Sequence, residues 1–71
     1  MKIIFSDHAR AQIFRRGITH ARVLDAIDKP DNLETSFRGR KLYQKKFRGR
    51  ILEVVVIEED IDLIIITAYY L

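Results

Sequence analysis

Beyond Pro30 the chain changes period, and that change limits what it can fold into. Leu33–Arg38, Lys41–Phe47, Ile51–Glu58 and Leu63–Tyr70 are rich in Val, Ile, Leu, Tyr and Phe, and turn signals separate them. Arg38-Gly39-Arg40 and Arg48-Gly49-Arg50 stand where hairpin turns belong, and Glu59-Asp60-Ile61-Asp62 supplies a third turn. Connections this short make sequential strands antiparallel neighbours. The second half is therefore expected to be a four-stranded antiparallel meander.

The first half carries helix punctuation. Lys2–Phe5 reads as a short strand. Ser6 follows as an N-cap and Asp7 favours the positive end of the helix dipole. Asp7–Arg16 is expected to be helical, with Gly17 as the residue that leaves it in a left-handed conformation. Thr19 caps a second helix over His20–Asp28, whose Val23, Leu24 and Ile27 form an apolar stripe. Lys29-Pro30-Asp31 stops it, because the residue before proline avoids the helical region. The expected fold is α+β in one domain over residues 1–71: a short N-terminal strand, two helices, then the meander, with the helices packed on one sheet face.

The tetrapeptide Phe-Arg-Gly-Arg occurs twice, at 37–40 and 47–50, bracketing one strand. Glycine serves the turn; the flanking arginines do not. The two turns lie roughly 20 Å apart at about 3.3 Å per residue, too far for one small anion but not for a polyanion. Tyr43, Lys45 and Phe47 share one face of the strand between them, an aromatic and basic mixture that suits nucleic acid.

Charge is distributed unevenly. The formal net charge is +3, yet Thr35–Leu52 holds seven basic residues and no acid. Such a segment points to an anionic partner, nucleic acid or an acidic protein. The chain has no cysteine, so thiolate chemistry is excluded and a reducing cytoplasm is the expected compartment. No signal-peptide pattern and no membrane-spanning apolar run is present. Ile51–Ile57 and Leu63–Ile66 are apolar at nearly every position, which normally means burial on both faces. Two helices cover only one. A second contact surface is therefore expected on the other, for a homodimer or a partner protein.

His8 and His20 stand twelve apart with no ligand pattern around them, so no metal site and no cofactor is expected. His20 falls at the edge of the apolar stripe and reads as packing. His8 opens the first helix, with Gln12, Arg15 and Arg16 on the same side of the wheel. A metal-free ribonuclease needs a base for the 2′-hydroxyl, an acid for the leaving 5′-oxygen and fixed cations for the phosphorane. Histidine serves either proton role near neutrality. Thr67 and Tyr69 share a face of the last strand and are expected to add hydroxyls to the same cleft.

Phe5–Ala9, Arg16-Gly17-Ile18, Val23–Asp31, Gly39–Lys45, Gly49–Val55 and Ile66–Tyr69 together resemble a small prokaryotic domain family of unknown function. Its pattern is H-A-x-x-R-M-x-x-R-G-I, then V-x-x-A-I-x-x-P-D, then G-R-x-x-Y-x-K, G-R-x-L-x-V-V and I-T-x-Y. That family is similar to the BrnT and RelE toxins, ribonucleases of toxin–antitoxin pairs. The resemblance implies helices on an antiparallel sheet, RNA as substrate, no metal, and an antitoxin as partner. It implies roles for His8, Arg16, Tyr43, Lys45, Thr67 and Tyr69. Gln12 stands where the family has arginine and Ile13 where it has methionine, with Arg15 close enough to replace the lost charge.

The leading expectation is a toxin-like, metal-independent endoribonuclease. His8, Arg16, Tyr43 and Tyr69 are its expected catalytic residues, and Arg15, Arg38, Arg40, Lys41, Lys45, Arg48 and Arg50 its RNA-binding residues. The alternatives are a non-catalytic RNA-binding module and a protein-partner domain.

Overall fold

The computed structural model describes residues 1–71. β1 spans Ile3–Phe5, α1 Asp7–Arg15, α2 His20–Asp28, β2 Asn32–Thr35, β3 Arg40–Phe47, β4 Arg50–Glu59 and β5 Asp62–Tyr70. The strands form one sheet in the order β1-β5-β4-β3-β2. The four C-terminal strands make the expected antiparallel meander. β1 adds parallel to β5, so the sheet is mixed. Both helices lie on one face. The architecture is the α+β arrangement expected from the sequence. No helix is long and apolar enough to cross a membrane.

Both helices begin and end where their caps dictate. The Ser6 hydroxyl accepts from the Ala9 N–H, and the Thr19 hydroxyl from the Arg22 N–H. Gly17 leaves α1 at φ +66, and the Ile18 N–H closes back on the Ile13 carbonyl at 2.9 Å. Ala9, Ile13, Ile18, Val23, Ala26 and Ile27 then meet Leu52, Val54, Val56, Leu63, Ile65 and Ala68 in one buried cluster.

The repeated tetrapeptide has a backbone explanation. Arg48 and Gly49 form a two-residue turn with φ +50 and +83, the paired left-handed geometry that matches strand twist. Arg38 and Gly39 adopt φ +65 and +71 inside a wider turn. There the Ser36 N–H donates to the Arg40 carbonyl at 2.8 Å. Each copy thus supplies two consecutive left-handed residues. The expected first strand of the meander is shorter than Leu33–Arg38, because β2 stops at Thr35 and Phe37–Gly39 coils into a short 3-10 turn.

One irregularity decides which way the last strand faces. Val55 pairs with Thr67 but Val56 pairs with Ile65, so Ile66 is an extra residue in β5. Leu63 and Ile65 point to the helices, and simple alternation would send Thr67 and Tyr69 after them. The bulge instead sends Ala68 and Tyr70 to the helix side and aligns Tyr69 with Glu53 on the open face. Leu42, Val55, Ile57, Ile64 and Ile4 share that open face by register.

Core substitutions should dominate stability. A domain of this length has about 4–10 kcal/mol in total. Ile65 is fully buried, and truncation to alanine is expected to cost about 2–5 kcal/mol. Phe14 is 86% exposed, and its alanine variant should stay within about 0.5 kcal/mol of wild type. Urea unfolding of the two variants checks both.

Candidate nucleic-acid interface

β1 pairs with only Leu63–Ile65 of β5, so the rest of that strand would present a free edge. The C-terminal end of α1 fills the place of a strand there. Arg16 Nη1 donates to the Ala68 carbonyl at 2.9 Å, to Thr67 Oγ1 at 3.3 Å and to Gln12 Oε1 at 3.1 Å. The Thr67 hydroxyl donates to the same Gln12 oxygen. Gln12 therefore holds Arg16 in place. His8, four residues before Gln12, lies one helical turn from it along α1 and is exposed.

Arg16, Ile18, Arg50, Tyr69 and Tyr70 line an open cleft of about 300 Å³, at the lower end of small-ligand sites. Arg50 lies over the Tyr70 ring at 4.2 Å from its centroid. From behind, Arg22 Nη1 donates to the Tyr70 hydroxyl at 2.6 Å, and Arg22 Cζ lies 5.2 Å from the centroid of the Phe47 ring. Three guanidiniums thus converge on two tyrosines. None of them is ion-paired; the molecule's one salt bridge joins Lys41 and Glu58 at 2.9 Å.

Behind Tyr69 a polar row crosses the open face. The pairings Asn32↔Gln44, Gln44↔Glu53 and Glu53↔Tyr69 put four side chains in register. Asn32 Nδ2 donates to Gln44 Oε1 at 2.8 Å, and Gln44 Nε2 to Glu53 Oε1 at 2.6 Å. The Tyr69 hydroxyl donates to Glu53 Oε2. Glu53 is 7% exposed and is the only buried charged side chain. Its hydrogen bond to the Tyr69 hydroxyl, helped by burial, pushes that phenol up to about 12, against the opposing pull of Arg16.

The sequence-predicted residues divide between these surroundings. Arg16, Arg50 and Tyr69 come together in the cleft, and His8 stands on the adjoining face of α1. Tyr43 and Phe47 lie on the helix side of β3, partly buried against the core. The Lys45 ammonium donates to the Lys29 carbonyl at 2.8 Å, beyond the last turn of α2. The aromatic and basic face of β3 is thus turned under the helices. Arg15 is exposed in the last turn of α1, and Arg48 at the hairpin tip. Arg38 and Arg40 line a separate notch with Ser36 and Phe37. Lys41, on the same end of β3, is held above its usual lysine range by its hydrogen bond to Glu58. His20 stacks on Phe5, with ring centroids 4.3 Å apart, as a packing residue. No group of three histidine, cysteine or carboxylate side chains is arranged to hold a metal ion.

Sequence reasoning missed Arg22, Gln44 and Glu53. Glu53 did carry a signal: it is the one acid inside the apolar run Ile51–Ile57. Nothing local to Arg22 marked it, because its partners come from the far end of the chain.

Residues 5–70 match the model of a family described as a domain of unknown function, DUF4258, and the chain belongs to that family. No curated protein and no solved structure matches it.

The Tyr69–Glu53 bond has a titration signature. Tyr69 should ionise near pH 12, and Glu53→Gln should return it toward the ordinary tyrosine value near 10. Between those values the unfolded chain has released the phenolic proton and the native chain keeps it. Native stability is therefore undiminished by this group below about pH 10 and falls as pH rises toward 12. Ultraviolet absorbance titration and alkaline unfolding curves read the two effects.

Proposed function

We propose that this domain acts on single-stranded RNA in the Arg16–Arg50 cleft, as a toxin-like endoribonuclease that uses no metal. The convergence of three unpaired guanidiniums on two tyrosines carries the reading. Guanidiniums suit phosphate oxygens and the tyrosine rings offer stacking surface, the pairing that single-stranded nucleic acid requires. Cleavage would proceed by attack of a 2′-hydroxyl on the adjacent phosphorus. Arg16 and Arg50 stabilise the charge that develops there. Tyr69 faces the 2′-oxygen and His8 gives a proton to the leaving 5′-oxygen.

Binding without cleavage is the second reading. It is favoured by the commitment of the Tyr69 hydroxyl to Glu53 and by the absence of any hydrogen-bond partner to orient His8. The open face with Leu42, Val55, Ile57, Ile64 and Ile4 is the proposed surface for a second copy of the chain or an antitoxin-like protein.

The test is labelled single-stranded RNA in EDTA, with binding and cleavage measured across a salt series. Wild type should cleave. Arg16→Ala and Arg50→Ala should each lower the slope of log K against log salt by about 0.7 and slow cleavage. His8→Ala should slow cleavage by about 10²–10⁴-fold with affinity retained. Arg38→Ala should match wild type in both. Binding without cleavage would establish the second reading. Loss of salt-dependent binding altogether would remove RNA as the ligand.

A further inference from the structure

Glu53 needs an explanation beyond the fold. A carboxylate excluded from water on a small sheet is costly unless it is hydrogen-bonded, and it is more often replaced by an apolar side chain. Here both oxygens are satisfied, one by Gln44 and one by Tyr69. No cation lies within ion-pairing distance. The only titratable group hydrogen-bonded to it is a phenol that also lines the arginine cleft. The carboxylate is therefore linked to the cleft through one hydroxyl.

We propose that Glu53 and Tyr69 form a proton relay for the cleft, with Tyr69 as the catalytic residue and Glu53 as the positioning residue and final proton acceptor. This rests on the reading that the cleft cleaves RNA. In the attack step the 2′-oxygen forms a bond to phosphorus and releases its proton to the Tyr69 oxygen. The phenolic proton passes at the same time to Glu53 Oε2. The phosphorus–5′-oxygen bond breaks, and the leaving oxygen takes a proton from His8. Atoms and charge balance: Glu53 ends neutral, Tyr69 unchanged and His8 deprotonated. The products are a cyclic phosphate and a free 5′-hydroxyl.

The relay accounts for a feature that otherwise counts against Tyr69. A phenol that keeps its proton to about pH 12 is no base by itself. It accepts a proton only by giving up its own, and Glu53 lies where that proton would go. The charged groups around the pair are few. Arg16 faces Tyr69 from the end of α1, and Arg50 at the start of β4 lines the same cleft. From β3 comes uncharged Gln44, with Lys46 at the diagonal position on the same face. From β2 come Asn32 and the Glu34 bonded to it. On β4 itself the flanking open-face residues are Ile51 and Val55, both apolar.

The test compares wild type with Glu53→Gln, Glu53→Asp and Tyr69→Phe, measuring RNA affinity, single-turnover cleavage in EDTA, and its pH profile. Glu53→Gln keeps an acceptor for the tyrosine but cannot take its proton. Its affinity should stay within about twofold, while cleavage falls about 10²–10⁴-fold and the pH profile changes shape. Glu53→Asp should recover part of the rate and the wild-type shape of the profile. Tyr69→Phe should lose as much as Glu53→Gln, and the double variant no more, because the two act as a unit. Wild-type cleavage and pH profile in either Glu53→Gln or Tyr69→Phe would overturn the relay and leave the cleft reading standing. Equal loss of affinity and cleavage in Glu53→Gln would also overturn it, in favour of a structural role. RNA bound but not cut by wild type would overturn both the relay and the cleavage reading.

Discussion

The structure depends on β4 being buried on both faces while the helices cover only one. Leu52, Val54 and Val56 face α1 and α2 and form the floor of the core. Glu53 and Val55 face the other way and are nearly as buried. Two nine-residue helices cannot reach that side. Neighbouring strands do the covering, with Gln44 and Tyr69 flanking Glu53, and Leu42 and Thr67 flanking Val55. The polar row follows from this. A carboxylate in the middle of a central strand must be given donors, and the strands on either side supply one each.

The same constraint places the cleft. β1 is too short to pair along the whole of β5, so the C-terminal half of β5 needs another partner. The Gln12–Arg16 pair takes that role, leaving a guanidinium at the lip of the sheet beside Tyr69. Arg50 arrives there because the Arg48-Gly49 turn returns the chain toward the end of β5. Arg22 arrives because α2 crosses the sheet behind it. Three cations from three elements are thus brought together by packing, with no acid among them.

Much of this fold was legible in the sequence because it is locally encoded. Ser6, Thr19, Gly17 and Pro30 mark helix ends by side-chain and backbone chemistry that acts within a few residues. The Arg-Gly dipeptides mark turns for the same reason. The meander followed from short connections. The parallel pairing of β1 did not, because no local signal tells a strand which distant edge it joins. The Ile66 bulge was equally hidden, and it alone reverses the face of Tyr69. Thr67 was expected beside Tyr69 in one cleft. Its hydroxyl instead meets Gln12 and Arg16, while the hydroxyl of Tyr69 meets Glu53. Tyr43 and Lys45 were placed on one face correctly. That this face lies under the helices depends on how the whole sheet is covered. The charge of the Phe-Arg-Gly-Arg copies likewise divides by position: Arg50 enters the cleft, whereas Arg38 and Arg40 lie at the opposite end of β3, where Lys41 pairs with Glu58.

The central claim is that the end of the molecule with Arg16, Arg22, Arg50, Tyr69 and Tyr70 receives RNA. Nuclear magnetic resonance of the ¹⁵N-labelled domain, titrated with a short single-stranded RNA in EDTA, tests it most directly. The predicted result is shifted signals for the three arginine Nε–H groups and for the backbone amides of Tyr69 and Tyr70, with Arg38–Lys41 unmoved. Shifts confined to Arg38–Lys41, with the cleft signals unchanged, would contradict it.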